Sequence, residues 1–268
     1  MLVVVKAGGR VLENGLPPEV AADIRSVSEK NRVIFVHGGG VEVTEIAQKL
    51  GKEQRFIVSP EGFRSRYTDR ETVDIYTMVM GKLNKQLVTA LESKGVKAIG
   101  LSGLDGQLIK AERKKRLVVI NERGRRMAID GGYTGSIEGI NTDLIRLLMN
   151  AGYVLVVSPV AISEKYEPLN VDGDRTAANI AGALGADMLV LLTDVEGLMI
   201  EGKTVPKLRL SEAKKLLPKI GPGMITKIHA AIEALEQGVK EVIITSGAVP
   251  APVSSAITRN VGTVIENG

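Results

Sequence analysis

The sequence predicts an α/β protein, a three-layer αβα sandwich with a mainly parallel open sheet, in which 268 residues are enough for two lobes. Three observations predict it. Short all-apolar strands alternate with helical patterns along most of the chain, as in a parallel sheet covered on both faces. Glycine turns follow the first two strands, as at strand-to-helix junctions. Composition is that of an ordinary globular protein, 44% hydrophobic and 25% charged.

Taken in order, Leu2–Val5 is an apolar strand that runs into Lys6-Ala7-Gly8-Gly9. Residues 17–29 begin Pro-Pro-Glu and read as a helix with proline in its first turn. Strand 32–36 leads to His37-Gly38-Gly39-Gly40 and a helix from Val41 to Leu50. Residues 64–69 read as a polar loop before a long helix, 69–93, whose Val73, Ile75, Tyr76, Val79, Met80 and Leu83 recur at helical spacing. Strand 97–101 follows. Residues 107–138, broken by glycines, suggest β-hairpins on the surface.

The α/β alternation resumes with helix 142–150 and strand 153–157. Asn170-Val171-Asp172-Gly173-Asp174 opens a helix to Leu184, and strand 188–192 ends in Thr193-Asp194. Gly221-Pro222-Gly223 precedes a helix from Met224 to Gln237, and strands near 239–245 and 262–265 complete the chain. Ligands of such sheets sit beyond the carboxyl ends of the strands, where both glycine turns, the Asn170 loop and the Thr193 turn fall. Backbone N–H groups at glycine turns can converge on an anion, which points to phosphate and carboxylate handling.

Charge is concentrated. Lys110, Arg113, Lys114, Lys115, Arg116, Arg123, Arg125 and Arg126 stand against Glu112 and Glu122, so this stretch carries +6 and the rest of the chain −2 of the total +4. No apolar run reaches the ~18 residues of a membrane span. The absence of cysteine excludes disulfides and thiolate metal sites, and with no signal peptide to be read a cytoplasmic protein is expected.

Seven runs appear in order: Lys6-Ala-Gly-Gly, His37-Gly-Gly-Gly, Gly81-Lys-Leu-Asn-Lys85, Gly100-Leu-Ser-Gly-Leu-Asp-Gly106, Asn170-Val-Asp-Gly-Asp174, Leu192-Thr-Asp-Val-Glu-Gly197 and Gly223-Met-Ile-Thr-Lys227. Together they resemble the amino acid kinase fold of carbamate kinase-like proteins, and within it the N-acetylglutamate kinases, over essentially the whole chain. The resemblance implies one domain, 1–268, with an N-lobe of about 1–165 for the acid and a C-lobe of about 166–268 for ATP. It implies ATP and Mg²⁺, with no protein metal ligands assigned, and a homodimer.

Carried over residue by residue, Lys6 and Lys227 match the lysines that neutralise the transferring phosphoryl group, and Asp174 the aspartate that orients them. Gly9 matches a backbone contact to that group. Gly39, Gly40, Arg66 and Asn170 match substrate contacts, Arg66 gripping the α-carboxylate with Arg64 nearby in sequence. Thr193, Asp194, Gly197, Gly223 and Met224 match nucleotide contacts. A carboxylate acceptor is already ionised at neutral pH and needs no general base. By position alone, Asp174 reads as a helix N-cap, Lys227 as a solvated helix lysine, and His37 as a buried residue supporting its turn.

Departures from the pattern narrow the substrate. No helix precedes the first strand, so the arm of hexameric acetylglutamate kinases is missing. The Gly100–Gly106 run followed by the basic stretch is similar to the lysine-biosynthesis branch. Its members phosphorylate aminoadipate or glutamate held on a small acidic carrier protein, LysW. A +6 patch suits an acidic partner. Nucleic acid is a poor fit, since residues 110–126 contain no aromatic residue to stack bases. Two other readings stand beside this one: an N-acetylglutamate kinase of arginine synthesis, and a non-catalytic regulator that binds ATP or an amino acid.

Overall fold

The computed structural model describes residues 1–221 and 223–268. Pro222, read above in the turn before the last long helix, lies outside them. Eight strands form the central sheet: β1 (Leu2–Ala7), β2 (Arg32–His37), β3 (Ala98–Ser102), β4 (Val154–Ser158), β5 (Met188–Thr193), β6 (Lys207–Arg209), β7 (Glu241–Ser246) and β8 (Thr263–Glu266), in the order β6-β8-β7-β5-β1-β2-β4-β3. All neighbours are parallel except β7 and β8. The four strands of the first half of the chain lie side by side, as do the four of the second, and meet at the β1–β5 seam.

Alternate strand residues enter opposite layers. Val4, Ile34, Val36, Leu155, Leu189, Leu191 and Val242 pack beneath α4 (Thr142–Asn150), α5 (Gly173–Leu184) and α7 (Met224–Glu236). Val3, Val5, Phe35, Val156, Val190 and Ile243 pack beneath α1 (Pro18–Ser28), the end of α3 (Arg70–Glu92) and α8 (Pro252–Ile257). The start of α3 packs on α2 (Gly40–Lys49) in a third apolar cluster that holds the six positions read from its spacing, Val73 to Leu83, except that Val73 is buried outside it. Asp69 caps α3 by accepting from Thr72 N at 2.8 Å.

Residues 107–138 depart from the surface reading. Ile109–Arg113 pairs with Gly135–Ile140 and joins Val160–Ile162 and Pro168–Asn170 in a second sheet. Leu108, Ile109 and Ala111 are buried in the main core. Strand alternation sends Ile109 and Ala111 inward and Lys110 and Glu112 outward, so the outward charges hid a core strand. Only the outer pair, Arg116–Ile120 with Arg126–Asp130, is an exposed hairpin. Residues 64–66 form a short strand against Phe56–Val58 instead of a loop. Short elements without strong periodicity, β6 and α8 among them, left no signal. Among the described residues no helix is long and apolar enough to cross a membrane.

Candidate active site

Strands β1 and β2 run parallel with Ala7 opposite His37, so the two glycine turns leave the sheet side by side. Gly38 N donates to Ala7 O at 2.8 Å. A methyl group on Gly38 would stand 3.1 Å from Gly8 Cα, and one on Gly8 only 2.7 Å from Lys6 Nζ. Backbone packs on backbone here, and a side chain would pry the turns apart or displace the lysine.

Strand parity places Lys6 with Val4 on the α5/α7 face. Asp174, in the first turn of α5, shares the buried stripe of Ala177, Ala178 and Ala181, so its carboxylate also points inward. Lys227 comes from the first turn of α7. Lys6 Nζ lies 2.7 Å from Asp174 Oδ1 and Lys227 Nζ 3.0 Å from Oδ2. One carboxylate bridges two lysines that are 221 positions apart, and the triad keeps a net charge of +1. The residue capping α5 is Asp172, which accepts from Arg175 N at 2.9 Å. Asp174 is therefore spared the N-cap role its position suggested.

Burial works against all these charges. It would raise the Asp174 pKa, but Lys6 and Lys227 hold it down at about 2. Burial would lower Lys6, yet the attraction and hydrogen bond of Asp174 leave it above the ordinary lysine value. Asp172 is pushed up, by burial first and then by Asp174. The fully buried His37 is depressed to about 4 by burial, with Lys6 adding to the effect against the Gly38 hydrogen bond. Its Nδ1 lies 2.9 Å from Gly38 O, and Asn84 Nδ2 lies 3.2 Å from its Nε2. In the neutral tautomer that satisfies both contacts, Nδ1 donates to Gly38 and Nε2 accepts from Asn84. Asn84 also donates to Val156 O at 2.9 Å, so the strut ties α3 to the glycine turn and β4.

Below the triad opens a cavity of about 1250 Å³. Lys6, Gly9, Gly39, Gly40, Arg66 and Asn170 all border it. Arg66 is buried; its Nη2 donates to Gly40 O at 2.7 Å and Thr44 Oγ1 at 2.9 Å, and its Nη1 to Gln54 Oε1. No carboxylate among the described residues pairs with it, and burial lowers its pKa, with Arg64 adding to the effect. A buried guanidinium without a counter-ion is a place for an anionic ligand group. Arg64 is exposed over the Phe56 ring, 4.0 Å from its centroid. Asn170 Nδ2 donates to Thr68 Oγ1 at 2.9 Å.

The residues matched to nucleotide contacts gather at the end of β5 and the head of α7, outside that cavity. Asp194 forms an ion pair with Arg10 at 2.8 Å and accepts from Thr193 Oγ1 at 3.1 Å. Gly197 packs against Thr263, whose hydroxyl would be 2.7 Å from an added methyl. Gly223 has φ +87° just before α7, which Met224 begins. Arg10 was missed, although it directly follows the first glycine turn.

The eight basic residues separate. Lys115, Arg116, Arg123, Arg125 and Arg126 are exposed on the outer hairpin, while Lys110 is exposed on the inner strand. Arg113 is half-buried, donates to Gly132 O at 2.6 Å, pairs with Glu167 at 3.4 Å and covers the Tyr133 ring. Lys114 turns into the cavity wall beside Leu117 and Val118. One-dimensional clustering concealed these different directions.

Residues 1–246 match the profile of the "Amino acid kinase family". A "[LysW]-aminoadipate/[LysW]-glutamate kinase" of Saccharolobus islandicus is 49% identical over 268 residues, 100% of each chain. A protein of the same description in Saccharolobus solfataricus is 48% identical over the same extent. N-acetylglutamate synthase from Neisseria gonorrhoeae, solved with coenzyme A and N-acetyl-glutamate, superposes with a TM-score of 0.83 at 25% identity; the whole chain corresponds to 59% of that protein. Giardia carbamate kinase, at 17% identity and a TM-score of 0.71, covers 100% of this chain and 99% of its own, and shares the fold.

Proposed function

The chain belongs to the amino acid kinase family, and from that membership we propose that it uses ATP to phosphorylate the side-chain carboxylate of L-2-aminoadipate or L-glutamate carried on the acidic protein LysW. The observation that carries the reading is the Lys6–Asp174–Lys227 bridge at one end of a cavity that also holds the unpaired Arg66. The full-length likeness to proteins so described supports the substrate class.

The side-chain carboxylate attacks the γ-phosphorus, the bond to the leaving diphosphate breaks, and an acyl phosphate and ADP result. Both reactants are anions, so the barrier is largely electrostatic. Lys6 and Lys227 offset the charge on the transferring group, and Asp174 holds both ammonium groups in place before ATP arrives. Arg66 and Asn170 orient the α-carboxylate; Gly9, Gly39 and Gly40 let the substrate come close to the backbone. Thr193, Asp194, Gly197, Gly223 and Met224 frame the nucleotide.

The triad's donors suit phosphate oxygens, and among the described residues no cluster of three or more carboxylates or histidines could hold an ion unaided. Mg²⁺ would enter on the phosphates of ATP, with Asp194 the nearby carboxylate, and would screen their charge. The exposed arginines of the outer hairpin supply the docking surface for the acidic carrier.

An ATP-dependent hydroxamate assay with carrier-linked aminoadipate, carrier-linked glutamate and free N-acetylglutamate tests the proposal. Acyl phosphate is expected from one or both carrier-linked acids at a higher kcat/KM than from the free acid. Preference for N-acetylglutamate would replace the reading with an arginine-pathway kinase, and no product from any acid would leave a regulator.

A further inference from the structure

Lys114 is a cavity-lining lysine that the triad and Arg66 leave unexplained. Its ammonium has neither a hydrogen bond nor an ion pair among the described residues, and burial lowers its pKa, with Arg175 adding to the effect. Asp172, whose field opposes this, caps α5 and lies beyond ion-pair distance. The position of Lys114 is nevertheless well anchored. Lys114 N donates to Thr134 O at 2.9 Å, and Gly131 packs directly on the Lys114 carbonyl, where no side chain could fit.

Two further donors face the same cavity. Thr134 Oγ1 is buried with no partner, and Thr134 bridges Asn170 through the backbone. Arg175 spends Nε and Nη2 on Glu233, at 2.9 and 3.1 Å, which leaves Nη1 without a partner among the described residues. An ammonium, a hydroxyl and a guanidinium edge are thus unfilled on a wall next to Asn170. Such a set attracts a carboxylate, since each donor otherwise loses its hydration without recompense.

We propose that Lys114, Thr134 and Arg175 form a second carboxylate subsite, which recognises an acidic group on the acyl mask of the substrate's amino nitrogen. The inference rests on the reading of the cavity as an acid-substrate site. Arg66 takes the α-carboxylate and the triad faces the side-chain carboxylate, so a third anion must come from the mask. An acetyl mask has none; a mask drawn from an acidic peptide does. The subsite thereby selects for a carrier-type substrate within the cavity, separately from the charge on the outer hairpin.

N-succinyl-L-glutamate and N-acetyl-L-glutamate, which differ by a carboxylate on the mask, are the probes. Calorimetric titration of the full chain should show the succinyl compound binding about tenfold tighter or more, as a charged hydrogen-bonded contact allows. Lys114→Met should bring the two affinities together, Lys114→Arg should retain the preference, and Thr134→Val should reduce it. Equal affinities in the unaltered protein, no binding of either compound, or a preference that survives Lys114→Met would overturn the subsite. Turnover of carrier-linked acid without a succinyl preference would remove the subsite alone, whereas a succinyl preference with no acyl phosphate from any acid would remove the kinase reading alone.

Discussion

Asp172 and Asp174, two residues apart at the head of α5, are driven in opposite directions by their surroundings. Asp172 caps the helix, and burial next to a second carboxylate raises its pKa. Asp174 is equally enclosed, but two ammonium groups hold it at about 2. The first is structural and the second sets the charge of the phosphoryl site.

The two lysines depend on that second carboxylate. Lys6→Ala or Lys227→Ala should lower kcat by roughly 10²–10³, the range for loss of one preorganised donor. Asp174→Asn leaves two buried cations facing each other. It should destabilise the protein by about 3–5 kcal/mol, as removal of one member of a buried ion pair does. Thermal unfolding would measure this, and ATP should recover part of the loss because its phosphates replace the missing negative charge. An unchanged melting temperature would count against the bridge.

Arg66 predicts a binding phenotype. Arg66→Lys keeps a charge but loses the planar fork that now spans Gly40, Thr44 and Gln54. The KM for the acid should rise roughly 10- to 100-fold, the range for one or two charged hydrogen bonds, while the KM for ATP stays near its original value. Steady-state kinetics with each substrate varied in turn separates the two. A rise confined to ATP would place Arg66 on the wrong side of the reaction.

His37 makes stability pH-dependent. Its folded pKa, about 4, is below the ordinary 6.5, so the native state favours the neutral ring. Its contribution is fully present above 6.5 and is lost as pH falls through about 4, because the unfolded chain takes up the proton first. The difference corresponds to about 3 kcal/mol. Urea denaturation from neutral pH to about pH 4 should show the unaltered protein losing more stability than His37→Gln by that order. Parallel losses would mean the ring does not resist protonation.

The outer hairpin predicts a salt effect. Replacing Arg123, Arg125 and Arg126 by glutamine should lower kcat/KM for a carrier-linked acid about tenfold at low salt and flatten its dependence on ionic strength. Stopped-flow association with the carrier is the direct measurement. An unchanged salt dependence would move docking to another surface.

The sequence by itself determined the α/β layering, because burial on both faces of a parallel strand leaves a continuous apolar run, and it placed the helices α1 to α5 and α7 within a residue or two of their ends. The ordered motifs also singled out Lys6, Asp174, Lys227 and Arg66. Tertiary structure alone decided what each of them faces. Capping by Asp172 rather than Asp174, the burial of Arg66 against the exposure of Arg64, and the inward turn of Lys114 all depend on packing between segments far apart in the chain. Local periodicity records which side of an element is apolar; the direction a lone charge takes is set by the opposite charges and cavities that folding brings to it.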